Sequence, residues 1–135
     1  MMKLRIACAT DDGRALIDRH FGDAEEYAIY DLEEDGVEKV KTINNTTAED
    51  EHEEEETHAD PEKANSVKGL LKREEVEVLL SQAFGPNIVR VKKHFLPVVV
   101  DKEDIDETLK LLQDNFSSLV KEWERGKGRE HLVLK

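Results

Sequence analysis

Short apolar runs bounded by turn-forming residues dominate the first third of the chain. Residues 3–9 are mostly apolar and lead into Thr10-Asp11-Asp12-Gly13, a pattern typical of a strand that ends in a turn. Aromatic and branched residues recur over residues 26–33, and residues 37–43 follow a Glu-Asp-Gly turn, so these two runs predict a β-hairpin. The second arm carries several charged residues, which is typical of a strand at the edge of a sheet.

The remaining two thirds of the chain predict two buried strands and three helices. Nearly continuous apolar runs at residues 76–80 and 97–100 indicate parallel strands that are covered on both faces. An Asp-Pro-Glu capping pattern begins a helix over residues 60–73, and a proline begins a shorter helix over residues 86–95. Apolar residues spaced three or four apart predict a last helix over residues 103–125, which ends at a glycine.

This order of elements predicts an α/β fold with three layers. Right-handed crossovers restrict the connections, and a central first strand, with the hairpin on one side and the later strands on the other, gives a mixed five-stranded sheet of order 3-2-1-4-5, flanked by helices on its faces. We expect residues 1–125 to form one domain that includes a mobile acidic loop at residues 44–59, and residues 126–135 to form a basic C-terminal tail. The direction of winding changes beside the first strand, and open sheets of this kind bind ligands at such a point.

The charge of the chain limits the classes of partner. The formal net charge is −12 at pH 7, and removing the eight acidic residues of segment 49–60 leaves −4. We expect no nucleic-acid partner, because phosphate binding needs a basic face. His52 and His58 lie in this acidic segment and could bind a divalent cation, but their spacing matches no closed site, so a solvated loop is the favoured interpretation.

The sequence contains one cysteine and no long apolar segment. Cys8 is predicted to be a small buried residue of the first strand, and a single thiol indicates a reducing, cytoplasmic setting. The sequence lacks the roughly 20 apolar residues needed to span a bilayer, so no membrane partner is expected. Neither a nucleophile motif nor a phosphate-binding loop is visible, and we therefore predict that the protein is not an enzyme.

One loop combines an imidazole with a small, flexible neighbour. His20-Phe21-Gly22 lies between the first strand and the hairpin; histidine is suited to ligate a metal or bind an anion near neutral pH, and glycine lets a ligand approach the backbone. The predicted strand order brings this loop close to the turn Gly85-Pro86-Asn87 after the fourth strand. The candidate cofactor-binding residues are therefore His20, Phe21, Gly22, Thr10, Asp11, Asp12, Gly85, Pro86 and Asn87, with His20 as the candidate metal ligand.

Asp11 and Asp12 admit two other interpretations. Carboxylates at the end of a central strand hold the two metal ions of some nucleases, but further carboxylates are not evident here, and the acidic charge would repel a nucleic acid. Turn formation, in which the side chains hydrogen-bond to nearby backbone groups, is the simpler alternative for both residues.

The chain resembles the dinitrogenase iron-molybdenum cofactor biosynthesis family over roughly residues 3–120. The likeness rests on the opening strand that runs into Thr10-Asp11-Asp12-Gly13, on His20-Phe21-Gly22-Asp23-Ala24 before an aromatic strand, and on a glycine turn after the fourth strand. The resemblance implies a ribonuclease H-like fold, contact between the histidine and an iron-molybdenum or other metal–sulfur cluster, and a pocket shaped by Phe21 and Gly22. It also implies a cluster-donor or cluster-acceptor protein as a partner.

Two functions remain open from the sequence. A cluster that brings its own sulfides needs few protein ligands, so His20 and nearby backbone amides could hold it weakly enough for transfer, as a carrier requires. Alternatively, the chain is an acidic protein-interaction module whose segment 49–60 docks a basic partner without any bound cofactor.

Overall fold

The computed structural model of the protein describes residues 3–45, 71–85 and 88–134. Within these residues the chain forms six strands and three α-helices, and residues 71–73 are also helical. The strands are β1 Leu4–Thr10, β2 Glu26–Glu33, β3 Gly36–Asn44, β4 Val78–Ser81, β5 Leu96–Val100 and β6 Leu132–Leu134. The helices are α1 Ile88–Val91, α2 Ile105–Asp114 and α3 Phe116–Trp123.

The strands form one mixed sheet of order β3-β2-β1-β4-β5-β6. β1 and β3 each pair antiparallel with β2, whereas β4, β5 and β6 continue from β1 in parallel. The predicted α/β class and the order of the first five strands are confirmed, and β3 lies at the edge. The predicted count of five is wrong, because the segment expected to be a basic tail contributes Leu132–Leu134 as a sixth strand beside β5.

Two apolar clusters cover the two faces of this sheet and produce the three layers. On one face, α2 and α3 pack against strand residues such as Ile6 and Leu80. On the other face, Leu71 from the helical residues packs with Leu79 of β4. Cys8 is fully buried in the first cluster, as predicted, and burial raises the pKa of its thiol. None of the helices in the described segments combines the length and apolar character that crossing a lipid bilayer requires.

The last predicted helix is two helices. The prediction of a single helix over residues 103–125 is wrong, because the backbone leaves the helical conformation at Asn115, with φ −113° and ψ 24°. The side-chain amide of Asn115 donates a hydrogen bond of 2.8 Å to the carbonyl of Leu111, and such local bonds compete with the helical ladder. Both α2 and α3 bury apolar residues, so the apolar spacing continues across the break.

The predicted start of a mobile loop at residue 44 is wrong. Asn44 is the last residue of β3 and pairs with Glu26 of β2. Asn45 is buried, with 3% of its surface exposed, so the ordered strand continues directly into a packed residue. Residues 46–59, with both histidines of the acidic segment, lie outside the described residues.

Two of the predicted helices are only partly described. Of the helix predicted over residues 60–73, residues 71–73 are described and are helical. The helix predicted over residues 86–95 is shorter at its end, because α1 stops at Val91 and the chain then turns into β5. Pro86 and Asn87, both candidate site residues, lie outside the described residues.

Candidate functional site

The His20 loop leaves β1 and returns as β2, so an antiparallel strand pair sets its two ends. A short 3-10 turn at Phe21–Asp23 follows His20, and a 2.8 Å hydrogen bond joins the Asp23 N–H to the His20 carbonyl. His20 also forms a parallel bridge with Ala83, just after β4. The loop therefore lies between the ends of β1 and β4, where the winding of the sheet changes direction.

The side chain of His20 is exposed and rests against Gly85. A Cβ built on Gly85 would lie 2.9 Å from Nδ1 of His20, and the next nearest atoms are Cε1 and Cγ of the same ring. Since real Cβ atoms do not approach this closely, only glycine leaves room for the ring in this position. The imidazole makes no hydrogen bond to the described part of the chain, and Nε2 is not among the ring atoms nearest to Gly85.

Phe21 is buried between two other aromatic rings. Its ring centroid lies 4.9 Å from that of Tyr27 and 5.4 Å from that of Phe84, and both pairs are stacked. Such pairs each contribute roughly 0.5–1.5 kcal/mol beyond the burial of their surface. Because Phe84 directly precedes Gly85, the stack ties the His20 loop to the end of β4. With 5% of its surface exposed, Phe21 is a core residue of the loop.

A buried amide that sequence analysis missed holds the same loop. Nδ2 of Asn45 donates to the carbonyls of Gly22, at 3.0 Å, and Ala24, at 2.8 Å. The hydroxyl of Tyr27 lies 3.2 Å from this nitrogen and donates a 3.1 Å hydrogen bond to the carbonyl of Phe21. No local signal points to this role, because Asn45 stands at the start of a polar segment and only the tertiary arrangement buries it.

Thr10 and Asp12 form the turn that follows β1. The buried hydroxyl of Thr10 donates to the carbonyl of Ala15 at 2.6 Å and accepts from the N–H of Gly13 at 2.9 Å. Oδ1 of Asp12 accepts from the N–H groups of Arg14 and Ala15 at 2.9 and 3.0 Å, and these bonds lower the pKa of its carboxyl group. These are the hydrogen bonds of a turn, and they engage Oγ1 of Thr10 and Oδ1 of Asp12.

Asp11 braces the loop from its exposed side. Nη2 of Arg19 lies 2.9 and 2.8 Å from the two carboxylate oxygens of Asp11, and the N–H of Glu25 donates to the first of them at 3.0 Å. The same guanidinium nitrogen donates to the carbonyl of Asp23 at 3.3 Å. Asp11 therefore connects the start of the loop to its middle and its end, and its charge is balanced by a neighbouring cation.

The structure brings only part of the candidate site together. His20 and Gly85 are in direct contact, and Gly22 follows within the same turn. Phe21 lies in the core next to them, whereas the side chains of the turn after β1 make hydrogen bonds within that turn or brace the His20 loop through Arg19 and Glu25, and none is shown in contact with the His20 ring. The residues of this second group are Thr10, Asp11 and Asp12.

The available donors limit what this site can hold. Among the described residues, no three His, Cys, Asp or Glu side chains are arranged to hold a metal ion. The thiol of Cys8 lies in the core and is not available. The exposed imidazole of His20 therefore fits a guest that brings its own sulfide ligands and needs one protein contact. It does not fit an iron–sulfur cluster that depends on several thiolates from the described residues.

Comparison with known proteins identifies the family of the chain. No curated protein matches the chain. The family model described as dinitrogenase iron-molybdenum cofactor matches residues 2–115, a span that includes both the His20 loop and Gly85. The resemblance predicted from the sequence is thereby confirmed. The chain belongs to the dinitrogenase iron-molybdenum cofactor family.

Proposed function

We propose that the protein binds a metal–sulfur cluster related to the iron-molybdenum cofactor and carries it as cargo, with His20 as the contact residue. Membership of the family supports a role in the handling of that cofactor. The observation that carries the proposal is the exposed imidazole of His20, which rests on Gly85 where β1 and β4 end.

A single imidazole suits a carrier better than a permanent holder. Electron-transfer proteins usually fix clusters with several thiolates, whereas one histidine beside accessible backbone gives weak and reversible binding. At Gly22, a Cβ would meet no heavy atom of the described residues within 4 Å, so a ligand could approach the backbone there. Asn45 and the aromatic stack brace the turn, so little further ordering is needed on binding.

The proposed role is not enzymatic, because the protein would hold and release a preformed cluster without changing its bonds. A cluster-donor protein and a cluster-acceptor protein are the partners that such a carrier needs. The role requires neither a nucleic acid nor a membrane, in agreement with a formal net charge of −12.

Anaerobic reconstitution with Fe²⁺, molybdate and sulfide, followed by desalting and metal analysis, tests this proposal. The wild-type protein is expected to retain metal, and His20→Ala is expected to lose most of it. His131→Ala is the matched control, because His131 is also exposed but precedes β6 at the edge of the sheet. Equal metal in wild-type and His20→Ala proteins, or an equal loss in His131→Ala, would contradict the proposal.

The interaction module is the second hypothesis from the sequence, and it depends on segment 49–60, which lies outside the described residues. Deleting this segment should leave metal retention unchanged if His20 carries the cluster. A deletion that abolishes binding to a basic partner, while wild-type protein retains no metal, would favour the module instead.

A further inference from the structure

Asn45 occupies a fixed position beside the His20 loop. Its backbone N–H donates a 2.9 Å hydrogen bond to the carbonyl of Glu25, and the preceding residue, Asn44, pairs with Glu26 across the hairpin. Only 3% of the surface of Asn45 is exposed. Strand pairing therefore sets the point from which its side chain leaves the backbone, and burial restricts where that side chain can go.

The side chain of Asn45 contacts the turn that follows His20. The carbonyls of Gly22 and Ala24 and the hydroxyl of Tyr27 all lie within 3.2 Å of Nδ2 and share its two protons. The hydroxyl of Tyr27 in turn donates to the carbonyl of Phe21 at 3.1 Å. One buried network thus holds most of the carbonyls of this turn.

The same turn sets the direction of the His20 side chain. The His20 carbonyl accepts a 2.8 Å hydrogen bond from the N–H of Asp23, so any shift of the turn moves the backbone of His20. The imidazole itself makes no hydrogen bond to the described residues. The contact with Gly85 restricts the rotation of the ring on one side only. The placement of the ring therefore depends on the backbone of His20, which the network around Asn45 holds on one side and the bridge to Ala83 holds on the other.

We propose that Asn45 is a positioning residue for His20; the proposal rests on the function proposed above, because it concerns the same cluster contact. Asn45 itself touches no cluster. It fixes the turn so that the imidazole is already in place when the cluster arrives. Replacing a residue that orients a metal ligand typically lowers metal affinity by about 10- to 100-fold, and we expect a loss of that size here.

Asn45→Asp is the sharpest test of this role. The aspartate has nearly the same shape, but its carboxylate cannot donate and would set an oxygen against the carbonyl oxygens of Gly22 and Ala24. Asn115→Asp is the matched control. That amide also donates to a backbone carbonyl, but it does so at the junction of α2 and α3.

Three measurements on the full chain are needed. They are the free energy of unfolding, the NMR resonances of the His20 ring in metal-free protein, and the metal retained after reconstitution with Fe²⁺, molybdate and sulfide. Comparison with His20→Ala assigns the ring resonances. We expect Asn45→Asp to shift the resonances of the His20 ring and to lower the amount of metal retained. Asn115→Asp is expected to change neither, even where its loss of free energy of unfolding is as large as that of Asn45→Asp.

Unchanged His20 resonances in Asn45→Asp, or an equal shift in Asn115→Asp, would overturn the positioning role. The NMR measurement needs no cluster, so it remains decisive if the proposed function fails. That failure would be visible as wild-type protein that retains no more metal than His20→Ala. Shifted ring resonances would then still support the role of Asn45, and unshifted ones would still reject it.

Discussion

The imidazole of His20 occupies the space that a side chain at position 85 would need. An ideal Cβ on Gly85 would lie 2.9 Å from Nδ1, closer than such atoms approach one another. Gly85 is not among the glycines with positive φ, so its backbone does not demand glycine. The requirement comes from the contact with His20, which links the loop after β1 to the end of β4.

We expect Gly85→Ala to displace the His20 ring and to leave the fold intact. The ring is exposed and can change rotamer, so the free energy of unfolding should fall by no more than about 1 kcal/mol. Metal retention should fall toward that of His20→Ala. NMR of the ring and denaturant unfolding check both points. Gly36→Ala is the control, because a Cβ there meets no heavy atom of the described residues within 4 Å. A ring that stays in place would contradict the contact.

The buried strands could be predicted because parallel strands that are covered on both faces need continuous apolar runs. The runs at residues 76–80 and 97–100 correspond to β4 and β5. Leu132–Leu134 could not be recognised, since three residues carry too short a pattern and owe their place to pairing with β5. The break at Asn115 could not be predicted either, because the helical spacing of apolar residues continues through it.

The candidate site was predictable only where it depends on strand order. Placing the first strand beside the fourth brings the His20 loop to the turn at Gly85, and the structure shows these two residues in contact. The bonds of Asp12 are local, so turn formation could be foreseen from the sequence. The role of Asn45 could not, because it arises where the end of β3 meets a loop from an earlier part of the chain.

Gly22 offers a separate test of where the cluster approaches. We expect Gly22→Ala to leave stability unchanged, since the added methyl group would meet no heavy atom of the described residues within 4 Å and φ is not positive. Metal retention should nevertheless fall, because the methyl group would occupy the space through which a ligand reaches the backbone. Denaturant unfolding checks the expected stability, and metal analysis after reconstitution checks the expected loss of retention. Full retention would show that the cluster does not approach at Gly22.

Glu75 has a left-handed backbone conformation, with φ +62°, where the helical residues 71–73 end. The N–H of Val76 donates to the carbonyl of Leu71 at 3.1 Å, and the N–H of Glu75 donates to that of Lys72 at 2.9 Å. These two bonds form a Schellman motif, in which the left-handed residue is usually glycine.

We expect Glu75→Gly to raise the free energy of unfolding by about 0.5–1 kcal/mol. The left-handed conformation costs a residue with a Cβ about 1–2 kcal/mol, which exceeds the entropy that glycine loses on folding. Denaturant unfolding measures the gain. Glu75→Ala separates the causes, because it removes the same charge and keeps the Cβ, so it should not stabilise. An equal gain in both variants would assign the effect to charge.

Asp31 should make part of the stability depend on pH. Arg5 donates to the two carboxylate oxygens from Nε at 2.8 Å and Nη2 at 3.1 Å, and this pairing lowers the pKa of Asp31 in the folded state. A lowered folded pKa means that the stabilisation is complete above the unfolded value of about 3.9 and is lost as the pH falls through the folded pKa. The Arg5–Asp31 pair should therefore stabilise the fold at neutral pH and lose this effect in acid.

We expect Asp31→Asn to reduce the free energy of unfolding by about 1–3 kcal/mol at pH 7, and the difference from wild type to shrink below about pH 4. Burial raises the pKa of Glu77, which has the opposite effect on the pH dependence of stability. Because Glu77 is present in both wild type and Asp31→Asn, this effect cancels in the difference between them. Denaturant unfolding across the pH range measures the difference. Asp35→Asn, in the exposed hairpin turn, should follow the wild-type curve. A difference that stays constant into acid would reject the assignment to Asp31.

Arg129 anchors the start of the β6 segment. Its Nε and Nη2 donate to the carbonyl of Trp123 at 3.3 and 2.9 Å, Nη1 donates to that of Lys92 at 3.1 Å, and Cζ lies 4.2 Å from the centroid of the Trp123 ring. Lysine cannot reproduce this planar fork, so we expect Arg129→Lys to cost about 1–3 kcal/mol and to speed amide exchange in β6. Arg125→Lys, at an exposed ion pair with Glu122, should cost much less. Equal losses of stability in Arg129→Lys and Arg125→Lys would mean that the hydrogen bonds of the buried Arg129 guanidinium add no stability beyond that of an exposed ion pair.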